Sequence, residues 1–293
     1  MIDLLEVVSA YALGLAVALV MWGGARRVFE GYVFQRHNYR DHSLPTAVGL
    51  LLPLVLALVV GVHVAVIELT RSTFGPGSGG WSSLAAWGPV TLEIAVAFGF
   101  LGLLDDLGGL GESGGFSGHI RALFDGRVTT GLIKMLGGPF FALAILAGDG
   151  ASSGRLGYLR DAALVCLAAN LANLFDRAPG RVNKVGQLGF VILVIATTNS
   201  RLVPAAVVLG AAAALLGPDL RETFMLGDAG SNVIGAVLGV GMVLSVTETQ
   251  RWILLAVLLA LNLSSEVVSF TKVIDSVGVL RRLDRLGSPY RKP

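Results

Sequence analysis

Four aspartates stand where apolar segments of this chain end or begin. Asp105 and Asp106 follow the apolar stretch FGFLGLL. Asp176 closes an Asn-containing apolar segment, and Asp228 lies between glycines just before another apolar segment. Adjacent carboxylates repel one another unless a cation or a proton lies between them, and Mg²⁺ binds through one or two carboxylates together with substrate phosphates. Solvated helix ends would explain any single aspartate, but four in Gly- or Asn-rich contexts favour a site for a cation and a phosphate.

The composition indicates that these aspartates belong to a membrane protein. Of the 293 residues, 14% are charged, against about 25% in a soluble domain, and the mean hydropathy is +0.74. A single cysteine, Cys166, excludes an intrachain disulfide. The first six residues, MIDLLE, lack the positive region of a signal peptide, which predicts that the first apolar stretch is retained as a span. We therefore expect one integral-membrane domain over residues 1–293, all-α, and no nucleic-acid partner.

A helix that crosses the bilayer needs about 20 mainly apolar residues, and the sequence offers nine such segments. They are 4–23, 46–68, 87–104, 129–148, 159–175, 185–199, 202–217, 231–247 and 251–270. One side of this arrangement holds 17 of the 22 Lys and Arg residues. The positive-inside rule makes that side cytoplasmic, so we expect the amino terminus outside and the carboxy terminus in the cytoplasm of a plasma-membrane protein. All four aspartates then lie at the cytoplasmic face.

Polar and basic residues surround two of these aspartates. Asn170, Asn173 and Asp176 are three residues apart and share one helix face, although membrane asparagines also bond simply across helices. A Pro-Gly turn follows, with basic residues that suggest phosphate contacts or positive-inside charge alone: Arg177, Arg181 and Lys184.

The stretch FMLGDAGSNVIGAVLG (224–239) is the most distinctive in the chain. A Gly-rich loop that enters a helix offers free N–H groups to a phosphate, and Asp228 would hold a metal there. Ser231 or Asn232 would cap the helix, and Gly235 and Gly239 would let another helix pack closely.

Three further polar positions carry predictions. Arg121, in the loop between the third and fourth segments, is a candidate phosphate contact, and Thr129 and Thr130 are candidate caps of the fourth helix. Glu266 lies well inside an apolar run, and an ionisable residue at such depth is a functional hypothesis by default, although a protonated Glu266 bonded to nearby serines is the alternative.

The order of six motifs is similar to that of the polyprenyl-phosphate N-acetylhexosamine-1-phosphate transferases. That family includes the phospho-N-acetylmuramoyl-pentapeptide transferase of peptidoglycan synthesis. The motifs are PTAVG (45–49), LLDD (103–106), GFSGHIR (115–121), NLFD (173–176), FMLGDAGS (224–231) and SSEVVS (264–269). The resemblance covers roughly residues 38–293 and implies transfer of a sugar-1-phosphate from a UDP-sugar to a polyprenyl phosphate, with Mg²⁺ and release of UMP. The expected partners are thus the lipid phosphate, the nucleotide sugar and the membrane, with a homodimer left open.

The resemblance also implies roles for particular positions. Asp105 and Asp106 match the family's aspartate pair, which handles the lipid phosphate and the metal. Asn173 and Asp176 match a motif near the nucleotide, and Asp228 matches a metal ligand. The predicted catalytic residues are Asp105, Asp106 and Asp176, and the predicted metal ligands are Asp228 and Asp106. The predicted substrate-binding residues are Asn170, Asn173, Arg121, Arg177, Arg181, Lys184, Glu266 and Arg291.

The chain departs from the family pattern in three places. Arg177 stands at a glycine position, and no lysine closely follows the aspartate pair. The carboxy-terminal histidine cluster and last span are absent, and Arg291 and Lys292 stand where histidines are expected. A second hypothesis is therefore a non-catalytic relative that binds a lipid phosphate, a nucleotide or a partner in envelope assembly. A transporter is disfavoured because the carboxylates gather at one face instead of along a path across the membrane.

Overall fold

The computed structural model describes residues 2–74, 81–108, 116–147 and 152–291. This part of the chain is all-α apart from one short hairpin, as predicted. The helices are α1 (Ile2–Phe29), α2 (Leu51–Phe74), α3 (Ser82–Gly108), α4 (Phe116–Phe124), α5 (Thr130–Leu146), α6 (Gly154–Phe175), α7 (Arg181–Thr197), α8 (Val203–Leu220), α9 (Asp228–Ser245), α10 (Glu248–Ser265), α11 (Phe270–Ser276) and α12 (Gly278–Arg285). The hairpin strands are β1 (Gln35–His37) and β2 (Ser43–Pro45).

Five of the described helices, α1, α2, α3, α8 and α9, are long and apolar enough to cross a membrane. The pair α10 and α11 adds a sixth candidate span, bent by 91° at its break. The chain is therefore a multi-pass membrane protein by the length and composition of its helices.

A helix coincides with each of the nine predicted segments, but three of them fall short of these criteria. Helices α5 and α7 have 17 residues each, which is at the lower limit for a helix that crosses a bilayer. Helix α6 has 22 residues, but Arg155, Arg160 and Asp161 in its first turns make it less apolar.

Helix α9 occupies the centre of the bundle. It contacts α3, α6, α7 and α8, and 83% of its residues are buried against 22% of the apolar window of α1. The predicted close approach at Gly235 and Gly239 is confirmed. A Cβ at Gly235 would lie 2.6 Å from the Cα of Ala169, and one at Gly239 would lie 2.7 Å from the Cα of Val165. These glycines let α6 and α9 meet backbone to backbone.

The hairpin β1–β2 ties together the ends of helices that are far apart in sequence. The Arg36 guanidinium donates to the carbonyl oxygens of Asp106 and Leu107 at 3.0 and 2.9 Å, which satisfies free carbonyls at the carboxy terminus of α3. Asn38 and Tyr39 donate to the buried Glu222 carboxylate at 2.8 and 2.9 Å. The hairpin thus fixes the end of α3 relative to the loop between α8 and α9.

The close packing of α6 and α9 predicts a contrast between two glycine substitutions. Gly235→Ala should lower the thermal unfolding midpoint in detergent by several degrees, because overpacking costs about 1–3 kcal/mol. Gly61→Ala in α2 is the matched control. A Cβ there meets nothing within 4 Å, and alanine favours a helix by about 1 kcal/mol over glycine. Equal midpoints for the two variants would contradict the packing described.

Candidate functional site

Asp106 caps the amino terminus of α9. Its carboxylate accepts hydrogen bonds from the backbone N–H groups of Asp228 and Ala229 at 2.9 and 3.0 Å. These N–H groups have no partner within the helix, and a negative charge at this end is favoured by the helix dipole. Helix α9 begins at Asp228, so the cap comes from α3, and neither Ser231 nor Asn232 caps it as predicted.

Two glycines leave the space that the Asp106 carboxylate needs to reach the start of α9. A Cβ at Gly102 of α3 would lie 2.5 Å from the backbone nitrogen of Ala229, and one at Gly227 would lie 2.5 Å from the Asp106 carboxylate. Gly227 also has φ = 76°, a conformation that other residues rarely adopt. Small residues at these positions therefore bring the ends of α3 and α9 into direct contact.

Asp105, Lys134 and Asp228 form a charged cluster beside this cap. The Lys134 ammonium donates to Asp228 and lies 3.6 Å from the Asp105 carboxylate. Thr130 donates to Asp105 at 2.6 Å. Thr129 is the N-cap of α5, accepting from the N–H of Leu132 at 3.1 Å, so that one predicted cap is confirmed. Lys134, one turn into α5, was not among the predicted site residues.

Asp176 and Asn173 bring the end of α6 to the same place. The Asn173 amide donates to the Ser231 hydroxyl of α9 at 3.3 Å. Burial raises the pKa of Asp176 well above its ordinary value, and the nearby charges of Asp219, Asp228 and Asp106 raise it further. The structure therefore brings together the ends of three helices that were predicted to converge.

Two cavities meet at this charged centre, and both are lined by Asp105, Asp176, Arg177 and Asp228. The first has a volume of about 600 Å³ and combines these charges with an apolar wall. That wall is formed by Phe98, Leu101, Met135, Pro139, Leu167 and Leu174. The second has about 540 Å³ and a surface that is about evenly polar and apolar, and its lining includes the polar residues Arg36, Asn38, Tyr39, Asp106, Asp219 and Glu222. One cavity thus suits an amphiphile and the other a polar, charged molecule.

Carboxamides also line the first cavity, among them Asn170 and Asn232. The exposed Asn170 donates to Asn262 of α10 at 2.7 Å, the interhelical bond that was the alternative explanation for it. Asn232 is 1% exposed, and neither its amide nitrogen nor its carbonyl oxygen has a hydrogen-bond partner. An unpaired buried amide costs free energy, which points to a ligand group or water at this position. In the sequence, the only sign that Asn232 could contact a ligand was its position as a polar residue in an apolar run.

Glu266 lies at the first cavity but not deep in a helix. It directly follows α10 and is exposed. The predicted apolar run is interrupted here, because the chain bends between α10 and α11. Glu266 is therefore a residue of the cavity mouth.

Four predicted substrate-binding residues do not line either cavity: Arg121, Arg181, Lys184 and Arg291. Arg121 is exposed on α4. The buried Arg181 donates twice to Asp284, at 2.7 and 3.0 Å, and Arg291 donates to the same carboxylate at 2.7 Å. Lys184 donates to backbone carbonyl oxygens near the end of α12. Three of these four basic residues thus hold the carboxy-terminal segment. Lys292 lies outside the described residues.

The donor set accommodates a divalent cation through two carboxylates. Within the described residues, no three His, Cys, Asp or Glu side chains are grouped as a metal site. Both Asp106 oxygens accept backbone N–H groups, so Asp106 fits a capping role better than the predicted role of metal ligand. Asp105 and Asp228 remain, and two carboxylates suffice for Mg²⁺ when phosphates complete its coordination. Lys134 already shows that this position stabilises a positive charge.

The capping role of Asp106 predicts a loss of stability that does not depend on any metal. Asp106→Ala should destabilise the protein by about 1–2 kcal/mol, because two N–H groups lose their acceptor. Asp106→Asn should recover part of this loss, since its amide oxygen still accepts one N–H group. Thermal unfolding in EDTA is the measurement. A wild-type midpoint for Asp106→Ala in EDTA would contradict the cap.

Comparison with known proteins adds no relative to this description. No protein-family model matches the chain, and a search of curated proteins finds no match. The likeness to the polyprenyl-phosphate transferases therefore rests on the sequence motifs alone.

Proposed function

We propose that this protein transfers a sugar-1-phosphate from a UDP-sugar to a polyprenyl phosphate in a Mg²⁺-dependent reaction that releases UMP. The observation that carries the proposal is the first cavity, where an apolar wall leads to Asp105, Lys134 and Asp228. A lipid phosphate has the same polarity, with an apolar chain attached to a charged head. The second cavity then receives the nucleotide sugar.

In this proposal the nine helices that coincide with the predicted segments cross the plasma membrane, with the amino terminus outside and the active face in the cytoplasm. The positive-inside count supports this orientation. Arg160 and Asp161, near the start of α6, are compatible with insertion because they are paired. The Arg160 side chain is fully buried and lies 2.7 Å from Asp161, which also accepts from Arg251 at 2.9 Å. Paired and hydrogen-bonded charges are the form in which burial is tolerated.

Mg²⁺ would be held by Asp228 and Asp105, and when bound it would supply neutralising charge to the phosphates. Lys134 then has a second role. Its ammonium is within reach of both carboxylates, and a phosphate that enters the cluster offers it a stronger set of acceptors. In this arrangement Lys134 orients the lipid phosphate.

The transfer itself needs positioning more than covalent help. An oxygen of the lipid phosphate forms a new bond to the sugar-linked phosphorus, the bond from that phosphorus to the bridging oxygen breaks, and UMP leaves with that oxygen. A phosphate monoester carries most of its second negative charge at neutral pH, so the nucleophile needs no strong general base. Arg177 lines both cavities, and we assign to it the contact with the nucleotide diphosphate.

The second candidate is a non-catalytic relative that binds the same ligands. Arg291, at a position where the family has a histidine, is bonded to Asp284 and does not line a cavity. Arg177 adds bulk at a glycine position. Metal-dependent binding of lipid phosphate without turnover would favour this candidate.

The first experiment uses purified protein in detergent with undecaprenyl phosphate, Mg²⁺ and a panel of UDP-sugars, and follows UMP release. We expect release that requires both lipid and Mg²⁺ and that is lost in Asp228→Ala. Asp125→Ala, which changes an exposed aspartate outside both cavities, is the matched control and should retain activity. Absence of UMP release by folded protein across the panel would contradict the transferase proposal.

Lys134→Ala should distinguish the two roles of this cluster, which are orientation of the lipid phosphate and binding of Mg²⁺. Loss of a charged hydrogen-bond donor, here the Lys134 ammonium, from a reacting phosphate costs about 10²–10³-fold in turnover. Loss of the competing ammonium should at the same time tighten Mg²⁺ binding about tenfold, by Coulomb interactions at an interface. Turnover and calorimetric Mg²⁺ titration measure the two effects, with the exposed Lys272→Ala as control. Weaker Mg²⁺ binding by Lys134→Ala would contradict the idea that the Lys134 ammonium and Mg²⁺ compete for the same two carboxylates.

Asn232→Leu should raise stability and weaken substrate binding. The substitution removes an unpaired buried amide, so the thermal midpoint should rise, while KM for one substrate should increase about tenfold through loss of a hydrogen bond of about 1.4 kcal/mol. Asn262→Leu is the matched control. Asn262 bonds to Asn170 and to two carbonyl oxygens, so its loss should lower the midpoint. A lowered midpoint with unchanged KM in Asn232→Leu would show a purely structural amide.

A further inference from the structure

The carboxy-terminal segment 267–286 turns sharply after α10 and is bonded to the start of α7 through Arg181 and Asp284. Helix α11 is bent by 91° from α10. Because α10 is the last helix of the bundle, a perpendicular helix at its end runs along the membrane surface when α10 crosses the bilayer. Exposed apolar side chains lie at and after the bend, among them Val267 (87% exposed), Val268 and Val273. This segment is therefore placed at the boundary between lipid and water.

Helix α12 continues the segment and has two distinct faces. Val279, Leu283 and Leu286 fall on one face at helical spacing, and they are 67%, 56% and 66% exposed. The other face carries Arg281, Arg282 and Arg285. Among the described contacts, Arg281 and Arg282 have no ion-pair partner, whereas Arg285 lies 3.0 Å from Asp275. An apolar face beside a basic face is the pattern of helices that lie in a membrane interface.

A buried ion pair fixes the rotation of α12 about its axis. Asp284 is the one buried residue of this helix, and it is bonded to Arg181 and Arg291. Burial works to raise the pKa of Asp284, but the hydrogen bonds from these arginines outweigh it and hold the pKa below its ordinary value. Because Asp284 points toward α7, the leucine and valine side chains of α12 point away from the bundle.

We propose that residues 267–286 form an interfacial anchor that binds the anionic phospholipid headgroups of the leaflet beside α10. The apolar face enters the acyl boundary, and Arg281 and Arg282 contact lipid phosphates. Charge complementarity selects this partner, since basic residues next to a span are attracted to anionic lipids. Continuity of the segment with α10 places it at that surface.

The test uses full-length protein with an environment-sensitive fluorophore on Leu283→Cys in a Cys166→Ser background. The protein is reconstituted in vesicles of phosphatidylcholine alone or mixed with phosphatidylglycerol, and quenching by aqueous iodide is measured. We expect iodide quenching about threefold weaker in the anionic vesicles. Arg281→Gln/Arg282→Gln should abolish that difference. Arg26→Gln/Arg27→Gln, which removes two adjacent arginines at the end of α1, should leave it intact.

Two outcomes would overturn the proposal. Equal, strong quenching in both kinds of vesicle would show that the segment stays in water. Protection that follows the protein-to-lipid ratio instead of the lipid charge would show that a second copy of the chain covers this face. The readout does not involve turnover, so it stands apart from the transferase proposal.

Discussion

Two N–H groups at the start of α9 point into the carboxylate of Asp106, and the arrangement of the site depends on this contact. It joins the end of α3 to the beginning of α9, while Arg36 holds the other side of the same α3 terminus. Asp105 directly precedes Asp106, and Asp228 itself donates one of the two N–H groups, so the carboxylates of Asp105 and Asp228 are brought to one point. Lys134 then supplies the positive charge that allows the two carboxylates to lie close together.

The site is thus built from helix ends, which a membrane protein can place with little loop structure. Chain ends of apolar helices lie at the bilayer surface, where polar groups are solvated and lipid headgroups are present. A cavity that combines the apolar wall of α3, α5 and α6 with the charged end of α9 can accommodate both parts of an amphiphile. This placement is the basis on which we propose a lipid phosphate for this cavity and a nucleotide sugar for the adjoining one.

Much of the fold could be predicted because the length of an apolar segment follows a simple physical rule. All nine predicted segments contain a helix, and the convergence of Asp105, Asp176 and Asp228 followed from their positions at the ends of those segments. Contacts between distant residues could not be predicted in the same way. Arg181 and Asp284 are 103 residues apart. The sequence around an arginine does not distinguish one that pairs with a distant carboxylate from one that binds a phosphate. The bend after α10 was missed because SSEVVS contains neither proline nor glycine.

The most direct measurement of the central claim is electron–nuclear double resonance with Mn²⁺ in place of Mg²⁺, in the presence of undecaprenyl phosphate. If Asp105 and Asp228 hold a divalent ion against the lipid phosphate, a phosphorus coupling to Mn²⁺ should appear with the wild-type protein and vanish in Asp228→Ala. A spectrum without phosphorus coupling, or one unchanged by Asp228→Ala, would contradict a metal and phosphate site at the start of α9.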